Sequence, residues 1–192
     1  MRKVLSAVFV TGLSLLAACG TKPEAPNVPA LLADLQGTDT VKSGQANLEL
    51  IRVGEPAVPG LVAMLKSDDP HRRSLAASAF WGMGEKARTA TPALAEALSD
   101  PNPAFRTQIA MALENMGPAA AGAVPALIKA LSDPERPVRQ AAVKALGRIG
   151  PAAQAAIPAL NRALKKGSWP EAQEAVLRIR GVEPGAAAAT PP

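Results

Sequence analysis

Two pairs of oppositely charged residues with the same spacing are the first features of this sequence that could carry chemistry. Asp100 and Arg106 are six residues apart, and so are Asp133 and Arg139. A carboxylate and a guanidinium form strong charge-assisted hydrogen bonds, which can bind a charged ligand or join parts of a protein. The block LSDPERPVR (131–139) is therefore either a charged ligand-binding loop or the corner at which a helix starts, capped by aspartate with proline in its first turn.

The recurrence of this block along the chain favours the structural interpretation. Similar blocks are LKSDDPHRR at 65–73 and LSDPNPAFR at 98–106, so the copies begin at positions 65, 98 and 131, a constant interval of 33. A short motif that contains a proline precedes each copy, and five such prolines follow one another at the same interval, except that the first interval is 30. They are Pro29, Pro59, Pro92, Pro125 and Pro158. A fixed period of this length is typical of a repeat protein, here with five units.

Each unit has the pattern of two helices. VPALIKAL (124–131) places a proline in the first turn and apolar residues at helical spacing. Ser132, Asp133 and Pro134 are expected to end that helix and cap the next, which Gly150 ends. The buried residues of the second helix are expected to be Val138, Ala142, Leu146 and Ile149. Since a pair of helices this short cannot bury its own apolar faces, the sequence predicts an all-α fold, an α-solenoid (superhelix) of about five stacked helical hairpins.

The series VPALIKALSD (124–133) and VRQAAVKALGRIG (138–150) resembles the HEAT repeat, specifically the HEAT-like repeat of phycobilisome lyases. The resemblance covers residues 28–183. It implies that the charged residues form a structural ladder of hydrogen bonds within and between repeats. The ladder residues would be Arg73, Asp100, Arg106, Asp133 and Arg139. In the last unit the regular interval from Arg139 leads to Ala172, so the ladder is expected to end there.

The first residues have the composition of a signal peptide. Arg2 and Lys3 precede an apolar stretch, residues 4–18, which is too short to span a bilayer comfortably. Its last three residues, Leu-Ala-Ala, and the Cys19 that follows resemble the lipobox of bacterial lipoproteins. That resemblance implies cleavage before Cys19, lipidation of its thiol and acylation of the new N-terminus. Cys19 is the only cysteine, so no intrachain disulfide can form.

The lipoprotein resemblance also predicts localisation. Gly20 after the cysteine favours the outer membrane, on the side that faces the periplasm, in the bacterial cell envelope. We therefore expect a signal peptide at 1–18, a lipidated, proline-rich tether at 19–27, the repeat domain at 28–183 and a disordered tail at 184–192.

Enzymatic functions find little support in the residues. The HEAT-like proteins include deoxyhypusine hydroxylases, whose di-iron site uses histidine and glutamate ligands, and bilin lyases. An iron site needs several converging histidines and carboxylates, whereas His71 is the only histidine of this chain. We therefore predict no catalytic residue, metal site or cofactor, and keep such an enzyme as an alternative.

The charge balance argues against nucleic-acid binding. The chain has 21 basic and 16 acidic residues, and two of the basic ones lie in the expected signal peptide. No run of lysine and arginine and no series of aromatic residues accompanies this small excess. A binder of anionic polymers that uses Arg72, Lys144 and Arg148 stays a second alternative.

Function is expected where the repeats differ. The candidate partner-binding residues are Arg72, Trp81, Met111, Glu114, Lys144 and Arg148, on the second helices of the units. Trp81 is either an anchor for a partner or a cover over a gap left by the short first unit. Trp169 is expected to cover the open end of the solenoid. The sequence thus predicts a non-catalytic scaffold or adaptor, anchored to the membrane, that binds a protein or peptide partner in the envelope.

Overall fold

The structure, a computed structural model, describes residues 26–166 and 169–182. In these ranges the regular structure is entirely helical, and ten α-helices pair into five hairpins, which confirms the predicted all-α solenoid. The helices are α1 (Val28–Leu35), α2 (Thr40–Val53), α3 (Val58–Leu65), α4 (Pro70–Met83), α5 (Thr91–Ala97), α6 (Pro103–Met116), α7 (Val124–Ala130), α8 (Arg136–Ile149), α9 (Ile157–Lys166) and α10 (Pro170–Ile179). The predicted signal peptide, Cys19 and the predicted tail at 184–192 lie outside the described residues.

The second helix of a hairpin starts two residues later than the sequence suggested. α8 begins at Arg136, with Glu135 at the N-cap position, so the prediction that Asp133 and Pro134 start this helix is wrong. The equivalent N-cap residues are Asp69 before α4 and Asn102 before α6, and their side chains accept backbone N–H groups of the first turn. The Asp133 carboxylate accepts the Glu135 N–H at 2.9 Å, which fixes the corner rather than the helix end.

The links between hairpins are helical rather than loops. α4 and α6 end at Gly84 and Gly117, whose φ angles of 54° and 55° strongly favour glycine. Each glycine opens a seven-residue segment of 3₁₀ turns, and the three long links are GEKARTA (84–90), GPAAAGA (117–123) and GPAAQAA (150–156). In the first and third of these, the backbone angles of Ala87 and Ala153 are not helical, so each is two short turns joined at a kink. The links can pack closely against the core because their inward-pointing side chains are alanines, which are small and completely buried. The first link, Glu55–Ala57, has only three residues, which explains the short first unit.

The core lies between two layers of helices, the first and the second helices of the hairpins. The second helices α4, α6, α8 and α10 pack on one another in sequence, whereas the first helices α3, α5 and α7 touch at few positions. Alanine and glycine permit the close approach: a Cβ on Gly147 of α8 would lie 3.1 Å from the Cα of Ala175 on α10. Closer spacing of the second helices places them on the inner side of the curve, and we call their solvent-exposed surface the inner face.

The last hairpin is in a register that the sequence analysis missed. Every buried residue of α10 follows a buried residue of α8 at an interval of 30 positions rather than 33, the pairs being Ala142 and Ala172, Ala145 and Ala175, Leu146 and Val176, and Ile149 and Ile179. The expectation that Ala172 occupies the arginine position is therefore wrong, and that position is Trp169. The change falls between α9 and α10, because Ile157 at the start of α9 still follows Val124 at the start of α7 at an interval of 33.

Candidate partner-binding site

The charged residues of the repeat corners connect consecutive hairpins. Nη1 of Arg106 donates to the carbonyl oxygens of Asp100 and Pro101, at 2.8 and 3.1 Å, in its own hairpin. Its Nε and Nη2 each donate to the Asp133 carboxylate of the next hairpin at 2.8 Å. The Arg106 hydrogen bonds lower the pKa of Asp133 and raise that of Arg106, against the smaller opposing effect of burial. Arg106 therefore bonds to backbone within its repeat and to a carboxylate across the boundary.

The preceding boundary is joined less tightly. Nη1 of Arg73 donates to the carbonyl oxygens of Ser67 and Asp68, at 3.1 and 3.3 Å. Its Nε lies 3.6 Å from Oδ2 of Asp100, an ion pair too long for a hydrogen bond, and its guanidinium lies over the Phe105 ring. Asp100 and Arg106, six residues apart in sequence, thus contact through the Asp100 backbone, while the Asp100 carboxylate faces the arginine of the hairpin before.

Large apolar side chains are exposed on the inner face of the first three hairpins. Leu48 on α2, Trp81 on α4 and Met111 on α6 are 69%, 51% and 44% exposed. The shorter first unit puts Leu48 and Met111 at equivalent positions, and Trp81 lies one turn further along the helix between them. The structure thus places Trp81 and Met111 on one surface. Sequence reasoning missed Leu48, although the shorter interval between Pro29 and Pro59 holds the signal that aligns it with Met111.

The inner face of the last three hairpins is charged. A cavity of about 220 Å³ opens there between α6, α8 and α10. Its lining residues are Glu114, Lys144, Gly147, Arg148, Glu171, Glu174, Ala175 and Arg178. The structure therefore brings together the predicted residues Glu114, Lys144 and Arg148. Sequence reasoning missed the α10 residues, because it aligned that helix by the regular repeat interval instead of the shorter one that the structure shows.

Arg72 does not belong to this surface. It lies in the first turn of α4, where its Nε is 3.7 Å from the Asp69 carboxylate. The equivalent positions on α6 and α8 are the buried Phe105 and Val138, whereas Lys144 and Arg148 are exposed side chains in the second half of α8. The three cations proposed for an anionic polymer are thus not one patch.

Between residues 26 and 182, outside the two undescribed positions, no group of three or more histidine, cysteine, aspartate or glutamate residues could hold a metal ion. His71 is exposed in the first turn of α4. Among the described helices, none is both long and apolar enough to cross a membrane.

Comparison with known protein families identifies the type of repeat. The model of the HEAT repeat family matches residues 58–123 and 91–179, which together make up more than half of the chain. The chain belongs to the HEAT repeat family. The resemblance inferred from the repeated motifs is thereby confirmed for the repeats. No curated protein matches the sequence significantly.

Solved structures of repeat proteins share the fold. One chain in the structure of the complex of CpcE and CpcF of phycocyanin lyase from Nostoc sp. PCC7120 matches with a TM-score of 0.63 and 20% identity, over 80% of this chain and 97% of that chain. A designed armadillo repeat protein in complex with the peptide (KR)4 matches with a TM-score of 0.58 and 19% identity, over 79% and 80% of the two chains. Computationally designed armadillo repeat proteins for modular peptide recognition match with a TM-score of 0.56 and 20% identity, over 81% and 83%. At these identities the matches show the fold alone.

Proposed function

We propose that this protein is a lipid-anchored, non-catalytic scaffold that binds a protein or peptide partner through the inner face of its HEAT repeats. The proposal rests on one observation: exposed apolar residues and charged residues occupy different parts of the inner face. Exposed Leu48, Trp81 and Met111 lie on the second helices of three consecutive hairpins, and the charged cavity with Lys144 and Arg148 lies between α6, α8 and α10. A large apolar anchor beside charged groups is typical of protein interfaces, where tryptophan is strongly enriched among the residues that dominate affinity.

The similar solved structures support a polypeptide partner. One contains a repeat subunit assembled with a second subunit, and another holds a bound peptide. A curved surface of repeated helices offers many equivalent positions along an extended or helical segment. Because repeat folds serve unrelated functions, the identity of the partner depends on the residues of the inner face rather than on the fold.

The membrane anchor is the second part of the proposal and rests on the sequence alone. Cys19 after Leu-Ala-Ala would carry the lipid, in the outer membrane and facing the periplasm. Several acyl chains give stable attachment, since each buried methylene contributes about 0.8 kcal/mol. Anchoring would raise the effective concentration of the inner face near other membrane-bound proteins, which strengthens binding without new contacts.

The alternative to a scaffold is an enzymatic function, which one of the structural matches favours. CpcE–CpcF is part of a phycocyanin lyase, although the fold is the only feature the match shows. A hydroxylase with a di-iron site has less support, because the described residues offer no group of ligands. Metal analysis of the purified protein separates the cases: iron bound in stoichiometric amount would contradict a function restricted to scaffolding.

Site-specific photo-crosslinking in native envelopes tests the scaffold proposal. A photoreactive amino acid replaces Trp81 or Met111 on the inner face, and a control replaces Lys129, which is exposed on α7 in the other layer. We expect the two inner-face positions to capture the same protein and the control position to capture none of it. Equal capture at Lys129, or a different product from each inner-face position, would contradict the proposal.

A further inference from the structure

Arg139 repeats half of the hydrogen bonds that Arg106 makes. Its Nη1 donates to the carbonyl oxygens of Asp133 and Pro134, both at 2.7 Å, as Nη1 of Arg106 donates to Asp100 and Pro101. These bonds hold the two guanidinium groups in the same way against their own corners. In Arg106 the other edge, Nε and Nη2, meets the carboxylate of the next hairpin.

The next hairpin gives Arg139 no such carboxylate. One regular repeat interval after Asp133 the chain has Lys166, the last residue of α9. Within residues 26–166 and 169–182, Arg139 forms no ion pair with an acid of a later hairpin. Trp169 lies there instead, with its ring centroid 5.5 Å from the guanidinium carbon of Arg139. The altered register of the last hairpin thus leaves one edge of a positioned guanidinium without its usual acceptor.

A cavity of about 640 Å³ opens at this edge. It lies between α7 and α9 and the corner that joins α7 to α8, away from the inner face. Arg162 adds a second positive charge, and Trp169 and aliphatic side chains such as Ile128 and Leu131 form apolar walls. Asp133 also lines the cavity, but its carboxylate already accepts two hydrogen bonds from Arg106. The cavity therefore presents two cations beside apolar surface.

We propose that this cavity binds an acidic side chain of an extended peptide segment from a protein partner. The carboxylate of that aspartate or glutamate accepts two hydrogen bonds from Nε and Nη2 of Arg139, as Asp133 does from Arg106. Arg162 faces the same space and favours the negative charge, while the ring of Trp169 and the aliphatic walls contact the apolar part of the segment. This site is separate from the inner face, so it does not depend on the scaffold function proposed above.

A peptide copied from the chain itself is the appropriate probe. Residues 130–134, Ala-Leu-Ser-Asp-Pro, form the segment that meets Arg106 in the fold. The blocked peptide ALSDP is titrated into the full-length chain carrying Trp81→Phe, in which Trp169 is the only tryptophan. We expect ALSDP to cause a saturable change in Trp169 fluorescence. The peptide ALSNP, in which asparagine replaces the aspartate, should bind with at least about tenfold lower affinity, because a charge-assisted hydrogen bond is lost. Equal affinities for ALSDP and ALSNP, or no response up to about 10 mM, would overturn the proposal.

Variants assign the effect to the guanidinium groups. Arg139→Lys keeps the charge but loses the forked geometry, and we expect at least about a tenfold loss of ALSDP affinity. Because Arg139 also bonds its own corner, thermal unfolding of each variant is measured, and Arg162→Gln provides a second test at an exposed residue. Arg162→Gln is expected to lower the affinity for ALSDP but not the affinity for ALSNP. Arg136→Gln, exposed in the first turn of α8 and outside the cavity, is the matched control. Unchanged affinity in folded Arg139→Lys and in Arg162→Gln would rule the site out.

Discussion

Arg106 of the third hairpin and Asp133 of the fourth are joined by two hydrogen bonds of 2.8 Å. Both side chains are nearly buried, at 11% and 10% exposure, so solvent screens the pair less than a surface ion pair. Each repeat contacts only its neighbours, which makes such boundary contacts the determinants of cooperative folding in a solenoid. The Arg73–Asp100 pair at the preceding boundary is longer, at 3.6 Å, so the two boundaries are not equally strong.

Asp133→Asn should lower the free energy of unfolding by about 1.5–3 kcal/mol, the range for a hydrogen bond to a charged group. The amide removes the negative charge and leaves the guanidinium of Arg106 without an anionic partner. Urea denaturation followed by circular dichroism measures the change. Glu174→Gln, which breaks the more exposed Glu174–Arg178 pair on α10, is the control and should change stability by less than about 0.5 kcal/mol. Equal losses in the two variants would contradict the importance of the buried pair.

The same pair predicts the direction of a pH dependence. The pKa of the Asp133 carboxyl is lowered in the folded protein, chiefly by the hydrogen bonds from Arg106. As the pH falls below the ordinary aspartate value of 3.8, the unfolded chain takes up a proton before the folded one does. The stabilising contribution of Asp133 is therefore complete above that value and lost once the pH has fallen through the folded-state pKa. The difference in urea midpoint between the wild type and Asp133→Asn should shrink over this range, and a constant difference would contradict the assignment.

Replacement of two helical glycines by alanine should have different effects on the stability of the protein. Gly44→Ala on α2 should stabilise the protein by about 0.5–1 kcal/mol, because alanine is the better helix former and a Cβ would meet no atom within 4 Å. Gly147→Ala on α8 should be less stable than Gly44→Ala by about 1–3 kcal/mol, since its Cβ would lie 3.1 Å from Cα and Cβ of Ala175. Thermal unfolding measures both changes. Equal stabilisation by the two substitutions would show that α8 and α10 can separate without cost.

The repeat architecture was predictable because every copy supplies the same signals at the same spacing. Proline near the first-helix starts and glycine at most second-helix ends mark the hairpins in the sequence. The cap residue was misplaced, because Asp133 precedes the helix and binds a neighbouring repeat, which is a tertiary contact. The charged cavity was found only in part, since the role of Glu171, Glu174 and Arg178 depends on the register change in the last corner. Spacing alone does not show where such a change falls.

Replacement of the predicted lipidation residue tests the anchor. Cys19→Ser removes the thiol that a lipid would modify, so the protein should move from the membrane to the soluble fraction when envelopes are separated by centrifugation. Incorporation of a radiolabelled fatty acid into the wild type, but not into Cys19→Ser, checks the modification directly. Gly20→Ala changes the next residue and keeps the cysteine, and it should remain in the membrane fraction. Membrane association that persists in Cys19→Ser would contradict the lipoprotein prediction.

Trp81→Ala should weaken binding of the captured partner while the fold remains intact. Truncation of a tryptophan at the centre of an interface costs about 2 kcal/mol or more, which corresponds to at least about a 30-fold loss of affinity. Half of the Trp81 side chain is exposed, so we expect thermal stability to fall much less than for a buried aromatic residue. Lys129→Ala is the control, because Lys129 is exposed on α7, in the layer of the first helices, away from the inner face. Titration calorimetry with the partner measures both variants. If Trp81 instead only covers a gap beside the short first unit, Trp81→Ala will lower the unfolding temperature and leave the affinity of the folded protein unchanged.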